Sequence, residues 1–438
     1  MLTATAHIIT AVIGSGVLSL AWAIAQLGWV AGPIALLAFS VITWFTSILL
    51  ADCYRSSDGT RNYTYKEVVK SHLGGLNIQL CGIAQYSNLV GITIGYSITA
   101  SISIVAIKRS NCFHQNGHEA GCHISNNPYI MTFGLIQIVL SQIPNFHELS
   151  ILSFVAAVMS FAYSSIGLAL SIAKIAEGGN VESSLTGIPI GDKMSGMNKM
   201  WSTFNALGNI AFAYAFSTVL IEIQDTIKAG VSESKVMKKA TLIGNSITTV
   251  FYMLCGVLGY AAFGNDAPGN FLTGFGFYEP FWLVDIANLC IVIHLVGAYQ
   301  VFAQPIFGLV EKWSKEKWPE SGFIVGEYPL ACGKFNLNML RLVWRSFYVI
   351  FTTVFAMLFP FFNNFVGLLG AASFWPLTVY FPIEMYIARS KIPRFSFTWI
   401  WMQILSGICL IISLLAAAGA IEGLVESLKT FKPFHSVS

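Results

Sequence analysis

Residues 11–20 read AVIGSGVLSL, two glycines around a serine inside an apolar run that extends from about Thr3 to Leu27. Glycine in a helix interior costs about 1 kcal/mol relative to alanine, so a plain membrane anchor has no use for Gly14, Ser15 and Gly16 at its centre. The residues leave two readings open. One is a small-residue seam that lets another helix approach closely. The other is a helix interrupted at mid-depth, which frees N–H and C=O groups that lipid cannot satisfy and is tolerable where it lines a cavity or meets a ligand. Two glycines flanking a serine favour the interruption.

The rest of the chain makes a membrane setting unavoidable. Of its 438 residues, 55% are hydrophobic and 10% charged, against about 25% charged in soluble domains. Mean hydropathy is +0.67. Apolar runs long enough to cross a hydrocarbon core of about 30 Å lie near 3–28, 30–54, 76–107, 128–145, 148–176, 200–225, 236–263, 281–310, 338–360, 364–388 and 397–424. Their residues do not alternate as barrel strands do. The fold class predicted is an all-α polytopic membrane protein with eleven spans in a single transmembrane domain over 1–438. No basic region precedes the first run, so no cleavable signal peptide is expected.

Eleven spans sort the loops onto two sides. All but seven of the 24 Lys and Arg residues (the seven being Lys108, Arg109, Lys174, Lys193, Lys199, Lys429 and Lys432) fall on the side of residue 1. The positive-inside rule then predicts a cytoplasmic N-terminus and an extracellular C-terminus. The net charge of +3 reflects that retained inner-face charge, and no nucleic-acid surface is read in it. Cys112 and Cys122 share one outer loop, where oxidising conditions favour a disulfide. His114, His118 and His123 lie in the same loop, but their spacing matches no standard zinc finger. The other six cysteines are in spans or on the inner side and are expected to be reduced.

Polar groups inside spans are costly and therefore informative. His7 lies on the cytoplasmic side of Gly14 and His294 near the middle of the eighth run, and either can titrate near neutral pH. A neutral histidine bonded to a neighbouring helix is an equally good reading of each. Asp285 falls on the opposite helix face from His294 and nearer the outer surface. Glu222, Asp225 and Glu384 lie near inner span ends, where salt bridges to basic residues such as Arg341 or Arg389 account for them. The third run carries a polar stripe of Gln85, Asn88, Gly91, Gly95 and Thr99, of which Asn88 is the ligand candidate; Tyr86 and Tyr96 are weaker ones.

In transporters built from two inverted repeats, broken spans recur at corresponding positions and present half-helix N-termini to a substrate carboxylate. With a first five-span repeat over 1–176, a second over 200–388 and an extra span at 397–424, the counterpart of the first span is the sixth. Its centre, Phe212-Ala213-Tyr214-Ala215-Phe216-Ser217, has no glycine. Only its position points to a second interruption.

The stretches TATAHIITAVIGSGVLSLAWAIAQLGWVAGP, CGIAQYSNLVGITIGY, NIAFAYAFSTVLIEIQDT, GYAAFGNDAPGNFLTGFGFYEPFW, VIHLVGAYQVFAQPIF and GLLGAASFWPLTVYFPIEMYIA closely resemble the plant amino acid permeases of the amino acid/auxin permease family. The match runs from Thr3 to Phe434. The resemblance implies a plasma-membrane proton/amino acid symporter with eleven spans, a core like the bacterial leucine transporter fold, and helices 1 and 6 broken. It implies that Gly14, Ser15, Gly16 and Val17 bind the carboxylate of an L-amino acid, neutral or acidic, and that Phe212, Ala213, Tyr214 and Ala215 complete the site. It also implies His7 and His294 as candidates in proton coupling, with no cofactor beyond the co-transported proton.

Two departures from the family stand out. Members carry a cytoplasmic tail before the first span, and many have aspartate where this chain has Asn209, which makes Asn209 a specificity candidate. The expected cavity lies between spans 1, 3, 6, 8 and 10. An auxin or other organic-acid carrier of the same fold and a non-transporting amino acid receptor are the rival readings. The sequence carries no nucleophile-base constellation or phosphate loop, so an enzyme is not expected.

Overall fold

The computed structural model describes residues 1–117, 119–143, 150–191, 194–227, 232–275, 280–329 and 336–431. His118 and Cys332 lie outside the described residues. Fifteen helices follow one another: α1 Leu2–Val12, α2 Leu20–Asp52, α3 Tyr65–His72, α4 Gly75–Asn116, α5 Asn127–Ser141, α6 Ser150–Glu177, α7 Gly196–Ala213, α8 Leu220–Asp225, α9 Glu233–Phe263, α10 Phe281–Lys317, α11 Gly322–Val325, α12 Met339–Leu358, α13 Phe362–Ser373, α14 Phe381–Ser390 and α15 Phe397–Thr430. Two three-residue strands, β1 Glu327–Pro329 and β2 Asn336–Asn338, pair antiparallel with Glu327 opposite Asn338, a small addition to an otherwise helical chain.

Among the described residues, nine helical segments are long and apolar enough to cross a membrane, with Leu2–Val12 and Asn127–Ser141 as shorter apolar helices. The sequence predicted eleven runs; the fourth appears as the shorter helix Asn127–Ser141, and the first differs for a local cause. The first run is divided, because its helix ends at Val12 and restarts as a 3-10 turn at Ser15. Its second half joins the second run in one long segment, Ser15–Asp52. Inside that segment the chain turns at Gly28, whose φ of 83° is open to glycine and strained for other residues. A side chain there is also excluded, since a Cβ would lie 2.2 Å from the Gly187 nitrogen.

The described chain divides into two compact units. The first comprises Met1–Asn88, Gly167–Gly274 and Asn363–Lys429, and the second is built mainly from Leu89–Ile166 and Phe275–Phe362. In the first unit α9 runs along α1 and α2, and glycines set the distance of approach. A Cβ on Gly244 would come within 2.9 Å of Ile8, one on Gly256 within 2.7 Å of Ile24, and one on Gly259 within 2.6 Å of Ala21. Small residues at such a seam let dispersion contacts replace the hydrophobic drive that lipid cannot supply.

One end of this unit is tied by charge. Arg55 and Arg61 both reach Glu233, at 2.7 and 2.8 Å, and Lys238 reaches Asp52 at 2.6 Å. Helix α3 begins with a capping box in which the Thr64 hydroxyl accepts from the Glu67 N–H while the Glu67 carboxylate accepts from the Thr64 N–H, reciprocal satisfaction of two end donors.

The second unit holds a buried polar belt. Gln300 donates to Gln137 at 2.6 Å, and Arg345 pairs with Glu311 at 2.7 Å while also donating to the Ser141 carbonyl at 2.7 Å. Burying a charge is costly unless it is paired and hydrogen-bonded, and the guanidinium has both a carboxylate partner and a carbonyl acceptor here. Cys112 and Cys122 are joined in a disulfide, and His114 stacks on Phe281 at 3.9 Å.

Candidate functional site

Helix α1 stops because Gly14 is extended (φ −131°, ψ −151°). Ile13 still donates to the Ile9 carbonyl at 2.8 Å, and Gly14 turns its N–H back to Val12 at 2.9 Å. The 3-10 turn Ser15–Ser19 follows, with the Val17 N–H reaching the Gly14 carbonyl at 3.4 Å. The N–H groups of Ser15 and Gly16 precede that first bond, the position at which a helical segment offers unclaimed donors. Ser15, Gly16 and Val17 are all buried.

The second interruption uses different means. Helix α7 ends at Ala213, the Ala215 N–H returns to the Phe212 carbonyl at 3.1 Å, and a 3-10 turn at Ser217–Val219 leads into α8. No glycine or proline is present. What replaces them is contact with the first interruption, for a Cβ on Gly16 would lie 2.8 Å from the Ala213 Cα. The Tyr214 side chain is fully buried, with its hydroxyl 3.4 Å from Thr249 on α9. Thr249 is in turn 2.6 Å from Ser40 on α2, and Asn245 donates to Ser40 at 2.8 Å. From α9, the Tyr252 hydroxyl donates to the Val12 carbonyl and lies 3.2 Å from the Ala213 carbonyl.

The two glycines of the opening stretch differ. A Cβ on Gly14 would meet nothing within 4 Å, whereas one on Gly16 would collide with the main chain of Ala213. Gly16 is a packing glycine. Gly14 faces open space beside the N–H groups of Ser15 and Gly16, which have no acceptor among the described residues, and there a carboxylate would find donors.

The structure thus brings Gly16, flanked in sequence by Gly14, Ser15 and Val17, against Ala213, flanked by Phe212, Tyr214 and Ala215. Asn88 is 7% exposed and its carboxamide oxygen is buried with no hydrogen-bond partner among the described residues, an acceptor available to a donor from outside the chain. Asn209 donates to the carbonyls of Asn205 at 3.0 Å and Asn363 at 2.9 Å, which ties α7 to α13 one turn before Phe212.

His7 lies on the exposed face of α1. His294 is buried, with Nδ1 3.0 Å from the Ala156 carbonyl and 3.1 Å from Ser160. A carbonyl only accepts, so Nδ1 carries the hydrogen and Nε2 is the basic nitrogen. Asp285 takes a 2.6 Å bond from Asn111 on α4 and is not joined to His294.

Of the three carboxylates expected to form salt bridges, Asp225 does so among the described residues. Asp225 lies 3.7 Å from Arg61 and accepts from Tyr54 at 2.6 Å. Glu384 instead accepts from Gln403 at 2.6 Å. Arg341 belongs to Glu311, at 3.4 Å, and one oxygen of Glu222 is buried with no hydrogen-bond partner among the described residues. The run 236–263 predicts α9 as a span but not its place beside the interruptions, although Gly244, Thr248, Tyr252 and Gly256 recur at four-residue steps and so share one face.

Residues 1–426 match the family model described as transmembrane amino acid transporter protein. The chain is 68% identical to amino acid permease 6 of Arabidopsis thaliana, covering 99% of this chain and 92% of that one. It is 62% identical to amino acid permease 1 of the same plant, with 100% and 91% covered. Among solved structures, MhsT in complex with L-phenylalanine superposes with a TM-score of 0.59 at 12% identity, over 96% of this chain and 98% of that one, a likeness of fold. With interrupted helices in a multi-pass frame and near-full-length matches to plant amino acid permeases, this chain belongs to the transmembrane amino acid transporter family, whose members are carriers and not enzymes.

Proposed function

We propose that the chain imports amino acids across the plasma membrane as a proton-coupled symporter working by alternating access. In this reading α1 with Ser15–Leu27 forms one broken span and α7 with α8 another. Counting the corner at Gly28 as a span boundary and α5 as a span gives eleven, with the N-terminus cytoplasmic and the C-terminus extracellular. The observation that carries the proposal is the meeting of two interrupted helices at Gly16 and Ala213 beside the open space at Gly14. Such an arrangement offers backbone amides to a carboxylate without a fixed positive charge.

A broad range of neutral and acidic amino acids fits a site whose fixed donors address the group all of them share. Asn88 supplies an acceptor suited to an ammonium donor. One proton moving inward adds about 2.3 kcal/mol per 100 mV of membrane potential, enough to concentrate substrate. Of the titratable candidates, His294 has its orientation fixed through Nδ1, which leaves Nε2 to exchange a proton; His7 and Asp285 are the others. Two-electrode current recording with a panel of amino acids tests the reading. Inward current that grows as external pH falls and ignores sodium supports it, and uptake that requires sodium and ignores pH refutes it.

A further inference from the structure

One face of α9 follows the first interrupted helix along its whole course. Gly244 packs on Ile8 before the interruption, and Gly256 and Gly259 pack on Ile24 and Ala21 after it. Tyr252 lies between them, at the level where the helix is missing. Its ring is fully buried and stacks edge-on against Tyr214 at 5.4 Å. Its hydroxyl donates to the carbonyl of Val12, the last residue of α1, and is 3.2 Å from the carbonyl of Ala213, the last residue of α7. Val12 also accepts from Gly14 at 2.9 Å.

A phenol has one proton to donate, so it satisfies one of the two helix-end carbonyls fully and the other only in part. We propose that Tyr252 is a positioning residue that registers the two interruptions against each other through this single shared proton, and thereby sets substrate affinity without touching substrate. Because one donor serves two acceptors, the register is held yet not locked. This rests on the transport reading above.

The test replaces Tyr252 in the full-length carrier expressed in oocytes, with surface density measured alongside amino acid current. Tyr252→Phe keeps the ring and removes the donor. The expected result is a rise of about tenfold in the half-saturating concentration, the scale of one buried hydrogen bond, at unchanged current per carrier in saturating substrate. A residue that mattered only for folding would lower surface density and leave half-saturation alone, which overturns the proposal. Should the Phe carrier fail to reach the surface, 4-aminophenylalanine introduced at position 252 decides, since its two N–H donors serve both carbonyls. Tighter half-saturation with slower maximal transport supports the shared-proton register, and wild-type values of both refute it. Wild-type current is the control that separates the two ideas. Its absence sinks the transport reading, while its presence with an unaltered Phe variant sinks only the role of Tyr252.

Discussion

Gly16 and Ala213 touch main chain to main chain, and the 2.8 Å that a Cβ on Gly16 would leave to the Ala213 Cα makes them the contact through which the two interrupted helices meet. Gly16→Ala is therefore expected to cost about 1–3 kcal/mol by overpacking, seen as a lower melting temperature and fewer carriers at the surface. Gly14→Ala, whose new methyl meets nothing within 4 Å, should leave the melting temperature unchanged and weaken substrate binding. Equal loss of stability in both variants would refute the distinction.

Ser15 lies between them and its role separates by the same logic. If the backbone N–H groups take the carboxylate, Ser15→Ala retains uptake per carrier within about twofold, whereas loss of a direct hydroxyl contact lowers affinity by about tenfold. Half-saturation of uptake discriminates the two.

His294 is held through Nδ1 by Ala156 and Ser160. Asparagine can place its amide N–H where Nδ1–H stood while lacking the basic Nε2. His294→Asn is expected to keep the carrier folded and to flatten the dependence of current on external pH between about 5 and 7.5. An undiminished pH dependence would remove His294 from proton coupling.

Arg345, 7% exposed, pairs with Glu311 and the Ser141 carbonyl and lies over the Phe307 ring at 5.1 Å. Arg345→Ala leaves the Glu311 carboxylate with the longer pair to Arg341 alone, at 3.4 Å, and should cost up to about 3 kcal/mol, the lower end for a broken buried pair. Arg345→Met combined with Glu311→Gln removes both charges and should recover most of the melting temperature. A double variant as unstable as the single would refute this.

His72 gives a pH-dependent term outside the spans. Burial holds its imidazole below the usual histidine range, opposed by the bond from Nε2 to the Cys53 carbonyl at 2.9 Å. The folded state thus disfavours the imidazolium. Its contribution to stability is full above the unfolded value of about 6.5 and is lost as pH falls through the lowered folded value. Melting temperature against pH should fall less on acidification in His72→Gln than in wild type.

The first interruption was legible because glycine announces it. The second was legible only from its place five runs after the first, since Phe212 to Ser217 contains no glycine or proline, and its course is set by Gly16, Tyr252 and Thr249, contacts distant in sequence. The same reason hid the part played by Tyr252, which reads locally as one more aromatic in an apolar span. Composition and run length were enough for the membrane class. They could not show that Leu2–Val12 and Ser15–Asp52 are separate segments, because hydropathy is blind to dihedral angles. Glu384 was misjudged for a further reason: proximity to basic residues along the sequence says nothing of which face a side chain takes, and Glu384 faces Gln403.

The corner at Gly28 has a consequence for anyone who wishes to watch the molecule work. Residues 184–188 grip that corner with main-chain atoms, Trp29 donating to Ser184 at 3.2 Å, Val30 to Leu185 at 3.3 Å and Ile188 to Ala25 at 3.2 Å. Gly28 and Gly187 must stay bare, but the Leu185 side chain is 67% exposed and takes no part in the clasp. A fluorophore carried on a cysteine at position 185 would therefore ride on the backbone of the first helical corner and report its movement without loosening it.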